Sequence, residues 1–362
     1  MIAPRLVDCP EGTRARSLRG RHAESAEGLP PAAPAQQVVR MLPTATDVLA
    51  AAYRLRSVVE RTPLVRSDAL SIKLGAEVYL KCENKQRTGS FKLRGATNAL
   101  ASLSARARTR GVVASSAGNH GLGIAYAARA LGIRAKIFVP RTAPDVKRDG
   151  IVALGAEVDA TCESYDDAHL AAESYAAQRG MKFVNPCAGE ALRAGQGTVG
   201  LEILEELPGV LTLVVPVGGG GLVGGIAALT RAVAPAVRIV GAQSERTNAM
   251  AASLSAGRRV DVPVPPTLAD GLAGQIDDEG FAIGRFALDE MVTVTETEIA
   301  EAIAWLSHQH DARVEGSGAV GVAAALNGRT RLSEGPVAIV VSGGNIDERK
   351  WRAIVDGPGA PL

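Results

Sequence analysis

Leu211–Val217 runs without a charged residue and leads straight into Gly218-Gly219-Gly220-Gly221. A strand with one face in water alternates apolar and polar residues, so this run is expected to be covered on both faces. That points to a parallel sheet with helices on either side, an α/β architecture. The rest of the chain keeps the same rhythm. Strands are predicted over Glu77–Glu83, Gly111–Ser116, Ala135–Pro140, Ala156–Thr161, Lys182–Asn185, Val237–Gln243, Met291–Thr295 and Val337–Val341. Helices are predicted over Phe91–Leu103, from Asn119 as a good N-cap residue, over Asp145–Ala153 and Tyr165–Gln178, and through Trp305. Such alternation implies parallel sheets, right-handed crossovers and sites at the carboxyl ends of strands.

Length and composition narrow the class. A chain of 362 residues suggests two domains, and 46% hydrophobic residues with only 3% aromatics suit close helix–sheet packing. A formal net charge of +2, with both signs interspersed, predicts no nucleic-acid and no membrane partner. No apolar run approaches the roughly 20 residues that span a bilayer. Cys9, Cys82, Cys162 and Cys187 lie far apart without metal-ligand spacing and read as reduced thiols of a cytoplasmic protein. Residues 1–42, rich in Arg, Pro and Ala, read as a disordered extension. Asp8, Glu11, Glu24 and Glu27 argue against a transit peptide there.

Four segments, in chain order, hold residues suited to chemistry. They are Ser90-Phe91-Lys92-Leu93-Arg94-Gly95-Ala96, Ser115-Ser116-Ala117-Gly118-Asn119-His120-Gly121, Val217-Gly218-Gly219-Gly220-Gly221-Leu222, and Val341-Ser342-Gly343-Gly344-Asn345. The glycines after Val217 leave backbone N–H groups free to surround an anion, at the positive end of a helix. Gly219, Gly221 and Gly224 also satisfy the dinucleotide pattern G-x-G-x-x-G, but the next strand ends at Gln243, where a ribose-binding acid is expected. An NAD-dependent dehydrogenase is therefore a remote alternative, and it leaves Lys92 and Ser342 unexplained. Taken singly, Lys92 reads as a surface lysine near a helix start, His120 as a capping or core histidine, and Ser342 as part of a turn. Taken together, the four segments resemble pyridoxal-phosphate (PLP) enzymes of fold type II, and within them the threonine dehydratase (serine/threonine ammonia-lyase) family, over about residues 45–347.

The resemblance implies a tryptophan synthase β-like α/β fold of two parallel-sheet lobes with the cofactor in the cleft. Residues 43–107 and 189–362 would form a large cofactor-binding domain, and residues 108–188 a small substrate-side domain. Lys92 matches the family's Schiff-base lysine and the base that removes the substrate Cα proton. Phe91 would pack near the ring, and Gly218, Gly219, Gly220, Gly221 and Leu222 would cradle the phosphate. Asn119 would bond the ring oxygen and Ser342 the pyridine nitrogen. Ser116, Ala117, Asn119 and His120 would face the substrate, with its carboxylate at the start of their helix. PLP is thus the expected cofactor and a small amino acid the expected partner. A homo-oligomer is expected, and no metal site.

The implied reaction is α,β-elimination from a β-hydroxy amino acid such as L-threonine or L-serine, giving a 2-oxoacid and ammonia. Racemases with the same motif carry serine where this chain has Ala117. Alanine has no proton to give the opposite face, so elimination is favoured over the remote racemase reading. Some segments depart from the family. Gln243 and Ala249 stand where relatives place cation-binding acids, and Glu245 is displaced from those positions. Asn185-Pro186-Cys187-Ala188-Gly189-Glu190 replaces an aromatic and two acids ahead of Ala194-Gly195-Gln196-Gly197-Thr198. Val314-Glu315-Gly316-Ser317-Gly318 replaces Glu-Pro-Ala-Gly, with Glu315 keeping its place. The last two departures, with Asp270-Gly271-Leu272-Ala273-Gly274, are similar to hydroxyectoine-utilisation dehydratases, an alternative with the same chemistry. The chain runs only to Leu362, so no isoleucine-responsive carboxy-terminal domain is expected. His308-x-His310 reads as a solvated helix terminus, Asp166-Asp167 as a charged first helical turn, and Glu202–Glu206 as a solvated helical face.

Overall fold

The computed structural model of the chain describes residues 42–143, 145–332 and 335–357. The expected extension and Cys9 lie outside the described residues, except Leu42, which is buried against Ala228, Ala282 and Ile283. Ten strands are present among the described residues: β1 (Leu64–Arg66), β2 (Val78–Cys82), β3 (Val112–Ser115), β4 (Ala135–Pro140), β5 (Glu157–Cys162), β6 (Lys182–Phe183), β7 (Thr212–Pro216), β8 (Arg238–Ser244), β9 (Glu290–Val294) and β10 (Val337–Val341). They form one sheet in the order β1-β2-β10-β7-β8-β9 and a second in the order β5-β4-β3-β6. Pairing is parallel, with one exception that the periodicity did not predict. β1 runs antiparallel to β2 at the edge of the larger sheet, too short at three residues to show an alternation.

Strands β7, β8 and β10 show why an apolar run means a strand covered twice. On one face of the larger sheet, Val214, Val240 and Ile339 pack with Ile299, Ile303, Val320 and Ala323. On the other, Leu213, Val215, Ala338 and Val340 pack with Val199, Ile203, Val223 and Ile226. Successive residues point to opposite faces, so both sets must be apolar. The smaller sheet divides likewise. Val112, Ala114 and Ile137 face Leu93, Leu100 and Ile124, whereas Val113 and Phe138 face Ala168, Ala172 and Ala176.

Helix Lys92–Ala101 therefore buries Leu93, Ala96 and Leu100 in the core of the smaller sheet, although it precedes that sheet in the chain. Its opposite side meets helix Glu190–Glu206 almost backbone to backbone. A Cβ on Gly195 would come within 2.5 Å of the Arg94 carbonyl oxygen, so only glycine permits this approach. A Cβ on Gly225 would likewise collide with the Arg193 carbonyl, which draws helix Gly221–Val233 into the same stack.

Arg94 locks that stack. Its guanidinium is 0% exposed and donates to both oxygens of Glu83, at 2.8 Å each, and to both of Glu202, at 2.6 and 2.8 Å. Lys81 adds an ion pair to Glu202 at 2.6 Å and donates to the Thr62 carbonyl at 2.6 Å. Burial alone would weaken the charge on Arg94, but Glu83 and Glu202 outweigh it and raise its pKa. Burial would likewise raise the Glu202 carboxyl, and Arg94 outweighs that to hold it below the usual range. Glu202–Glu206 is thus only partly the solvated face the sequence suggested. Glu205 and Glu206 pair with Arg61 at the surface, at 2.6 and 2.8 Å, while Glu202 is buried. Its partners come from Lys81 and Arg94, more than 100 positions away in the chain, so no local pattern announces them. The remaining plain readings fare differently. Ser164 and Asp167 form a reciprocal cap, consistent with a charged first turn. His310 is held by Ser67 Oγ at 2.9 Å and lies 5.3 Å from the Trp305 ring, so it is anchored rather than solvated.

Arg94→Met should leave two buried carboxylates short of their cation and cost about 3–5 kcal/mol of stability. Urea unfolding should show a lower midpoint at unchanged slope. A loss below about 1 kcal/mol would mean that Lys81 alone suffices.

Candidate active site

Lys92 is the first residue of its helix, and its Nζ donates to the Pro186 carbonyl at 2.9 Å. The ammonium lies 5.2 Å from the Phe91 ring centroid. Among the described residues no carboxylate is in ion-pair contact with it. Residues just before Lys92 are tied to the last motif. Phe91 N donates to Ser342 O at 3.1 Å, and Ser90 bridges Gly343 in antiparallel fashion. The Asn119–Leu131 helix packs against the same helix start, with Gly123 close enough that a Cβ would lie 3.2 Å from the Lys92 carbonyl carbon.

The glycine loop joins this group through a turn with no motif of its own. Asn185 Oδ1 accepts from the N–H groups of Cys187 and Ala188, both at 2.8 Å, closing the turn that aims Pro186 O at Lys92. Cys187 forms the floor of the loop. A Cβ on Gly219 would lie 3.1 Å from Cys187 Sγ, and one on Gly221 would lie 2.9 Å from Cys187 O. Gly220 has φ +86°, a left-handed conformation that caps helix Gly221–Val233. Leu222 is buried in a cluster that includes Val217, with Phe91 packed against it. Bare backbone at the start of a 13-residue helix suits a phosphate.

Ser342 follows β10 with its side chain buried, and the one hydrogen bond of its hydroxyl among the described residues is a long one of 3.4 Å to Ser317 O. An amine without a carboxylate partner, a loop that side chains would fill, and a weakly engaged buried hydroxyl together fit the aldehyde, phosphate and ring nitrogen of PLP.

Asn119 departs from the expected role in its helix. Gly118 is the N-cap, and Asn119 is the first helical residue. Its side chain turns away from the helix, donating to Glu315 Oε1 at 2.7 Å and accepting from Asn345 Nδ2 at 2.7 Å. Glu315 is buried, and burial, reinforced by the charge of Asp270, raises its carboxyl to about 7. In the sequence, Glu315 and Asn345 are marked only by their position inside or beside a motif.

His120 is engaged through its ring. Its Nε2 lies 2.9 Å from Val184 O, which can only accept, so Nε2 carries the hydrogen. Nδ1 then carries a lone pair, buried without a hydrogen-bond partner among the described residues. Burial first, and the Lys92 charge second, push its pKa down to about 3. The neutral ring has no N–H left for a substrate carboxylate. What this position offers is its backbone N–H, unsatisfied within the first turn of the helix. Ser116 Oγ accepts from Gly118 N at 3.2 Å, which shapes the same turn, and Ala117 is partly buried against the smaller sheet's core.

A family model described as "Pyridoxal-phosphate dependent enzyme" matches residues 55–343. The chain is 48% identical over 305 residues to an L-threonine ammonia-lyase of Thermotoga maritima, covering 84% of this chain and 76% of that one. An L-threonine ammonia-lyase of Geobacter sulfurreducens is 44% identical over 304 residues, with the same 84% and 76% coverage. Among solved structures, the processed form of threonine deaminase isoform 2 from Solanum lycopersicum gives a TM-score of 0.82 at 34% identity, covering 90% of this chain and 93% of that one. Maize serine racemase gives 0.82 at 32% identity, covering 87% and 97%.

The depressed His120 pKa has a consequence for acid stability. The unfolded chain binds this proton near pH 6.5 and the folded chain only near 3, so stability is full above 6.5 and falls as pH drops between the two. The slope from this one group is at most about 1.4 kcal/mol per pH unit. His120→Gln should therefore lose less stability than wild type between pH 6.5 and 4.5, as read by urea midpoints; identical pH profiles would refute the assignment.

Proposed function

This chain belongs to the pyridoxal-phosphate-dependent enzymes, and from that footing we propose that it is an ammonia-lyase converting L-threonine or L-serine to a 2-oxoacid and ammonia. The observation that carries this reading is the Lys92 amine, in ion-pair contact with no carboxylate among the described residues and joined through Pro186–Cys187 to a bare glycine loop.

When bound, PLP supplies an electron sink for the pair left at the substrate Cα. Lys92 would hold the cofactor through its amine and, once displaced by the substrate's amine, take the Cα proton. Backbone N–H groups of Gly218–Gly221 would hold the phosphate, with Leu222 and Phe91 closing the apolar side. The Ser342 hydroxyl would meet the ring nitrogen as a neutral partner, which moderates the sink. Asn119 would meet the ring oxygen. The backbone at Ser116, Asn119 and His120 would hold the carboxylate. Ala117 offers no proton to the face opposite Lys92, which supports elimination over racemisation. For threonine the β-hydroxyl leaves with a proton as water, and net hydrolysis yields 2-oxobutyrate and ammonia.

The alternative hydroxyectoine-type substrate draws no support from the relatives named above. We read residues 43–107 with 189–362, and 108–188, as two domains, supported by β3–β6 forming a sheet apart from the rest. Among the described residues no helix is long and apolar enough to cross a membrane. Free Cys82, Cys162 and Cys187 support a reducing, cytoplasmic setting. Exposed Leu49 and Tyr53, on successive turns of helix Ala45–Leu55, support a homo-oligomer.

The purified protein should show a visible absorption band of bound PLP that changes on adding L-threonine while 2-oxobutyrate appears. Lys92→Ala should lower turnover by about 10³-fold or more. A band without turnover on threonine or serine would move the substrate toward the hydroxyectoine type, and no band after adding PLP would overturn the reading.

A further inference from the structure

Asn119 sits in the middle of a side-chain relay whose direction can be worked out from its ends. The Thr88 carbonyl can only accept, so the Asn345 atom facing it at 2.8 Å must be the amide nitrogen. The second hydrogen of that nitrogen points to Asn119 Oδ1 at 2.7 Å. Asn119 thus turns its oxygen toward Asn345 and its nitrogen toward Glu315, whose Oε1 accepts at 2.7 Å. The reverse orientation would set two NH₂ groups face to face and a carbonyl oxygen against a carboxyl. One Asn119 N–H remains unengaged among the described residues.

We propose that Glu315 and Asn345 are positioning residues that lock the Asn119 amide so that it meets the cofactor's ring oxygen only as a donor. This rests on the PLP reading above. A donor stabilises negative charge on a ring oxygen, whereas an amide carbonyl would repel it. The two ends of the relay do different work. Glu315 keeps an acceptor lone pair whether or not it is protonated, so it retains Asn119 across neutral pH. Asn345 sets the sense of the relay, because only its NH₂ is fixed by a group that cannot donate.

The last motif is shaped around this relay. A Cβ on Gly343 would collide with Glu315 Oε1, so glycine is what lets the carboxyl reach Asn119. Glu315 N donates to Gly343 O at 3.2 Å, and Gly344 N donates to Gly89 O at 2.9 Å, fixing both strands of backbone that carry the relay. A carboxyl on a residue 7% exposed, with no ion-pair contact among the described residues, has a polar task to justify its burial.

The test measures PLP affinity and the absorption maximum of the holoenzyme in three variants. Asn345→Asp replaces the NH₂ by acceptors and should reverse Asn119, raising the Kd for PLP about tenfold and displacing the band. Glu315→Leu should do the same, whereas Glu315→Gln, which keeps an acceptor oxygen, should stay within about twofold of wild type with an unmoved band. If Glu315→Leu does not fold, Asn345→Ala at its partly buried site carries the comparison. Wild-type affinity and band in Asn345→Asp and Glu315→Leu would overturn the relay, as would a Glu315→Gln variant as impaired as Glu315→Leu. A wild type that binds no PLP would instead overturn the cofactor reading itself.

Discussion

Arg94 lies two residues beyond Lys92 on the same helix, and its guanidinium is gripped by two carboxylates from different parts of the fold. Glu83 follows β2 in the larger sheet, and Glu202 sits on helix Glu190–Glu206. A buried charge is costly unless it is fully paired, so this arrangement tolerates little displacement. Helix Lys92–Ala101 is thereby fixed in rotation and depth. Its apolar side commits to the smaller sheet, its glycine side to a neighbouring helix, and its first residue to the site. Every other feature of the site is placed relative to that residue.

Around Lys92 the chain supplies mostly backbone rather than side-chain charge. Carboxyl ends of β3, β7 and β10 carry the Ser116–His120 turn, the glycine loop and Ser342. Both sheets therefore point the same kind of strand end toward one place, where loops meet helix starts and anions are favoured. The lowered pKa of His120 and the raised pKa of Glu315 share a first cause, burial, which keeps uncompensated charge low in the site proposed to receive a phosphate and a carboxylate. Polar groups there are oriented by contacts rather than by net charge.

Much of this was legible in the chain. Apolar strand runs separated by amphipathic segments located nearly every element of the two sheets, because burial on two faces leaves a mark that needs no partner to read. The short antiparallel β1 escaped, since three residues cannot show a period. Glu202 reads as solvated from sequence because the glutamates near it, Glu205 and Glu206, are surface residues, and only its neighbours in space are cations. Asn119 looked like a helix cap by residue type, yet Gly118 takes that position and frees the Asn119 amide for Glu315 and Asn345. Nothing near His120 in sequence shows that Val184 O, 64 positions on, takes the one hydrogen of its ring.

What the sequence determined by itself is the set of parts: an α/β chain, a lysine opening a helix, a glycine loop after a buried strand, and polar residues at two more strand ends. These follow from local steric rules, from periodicity, and from residue types that few other chemistries require. Only the tertiary structure decided how the parts work on one another. Which nitrogen of His120 carries hydrogen, which way the Asn119 amide points and which glutamate is buried each depend on a donor or acceptor contributed by a distant segment. Hydrogen bonds are directional and short, so those choices exist only once the chain has brought both partners within about 3 Å.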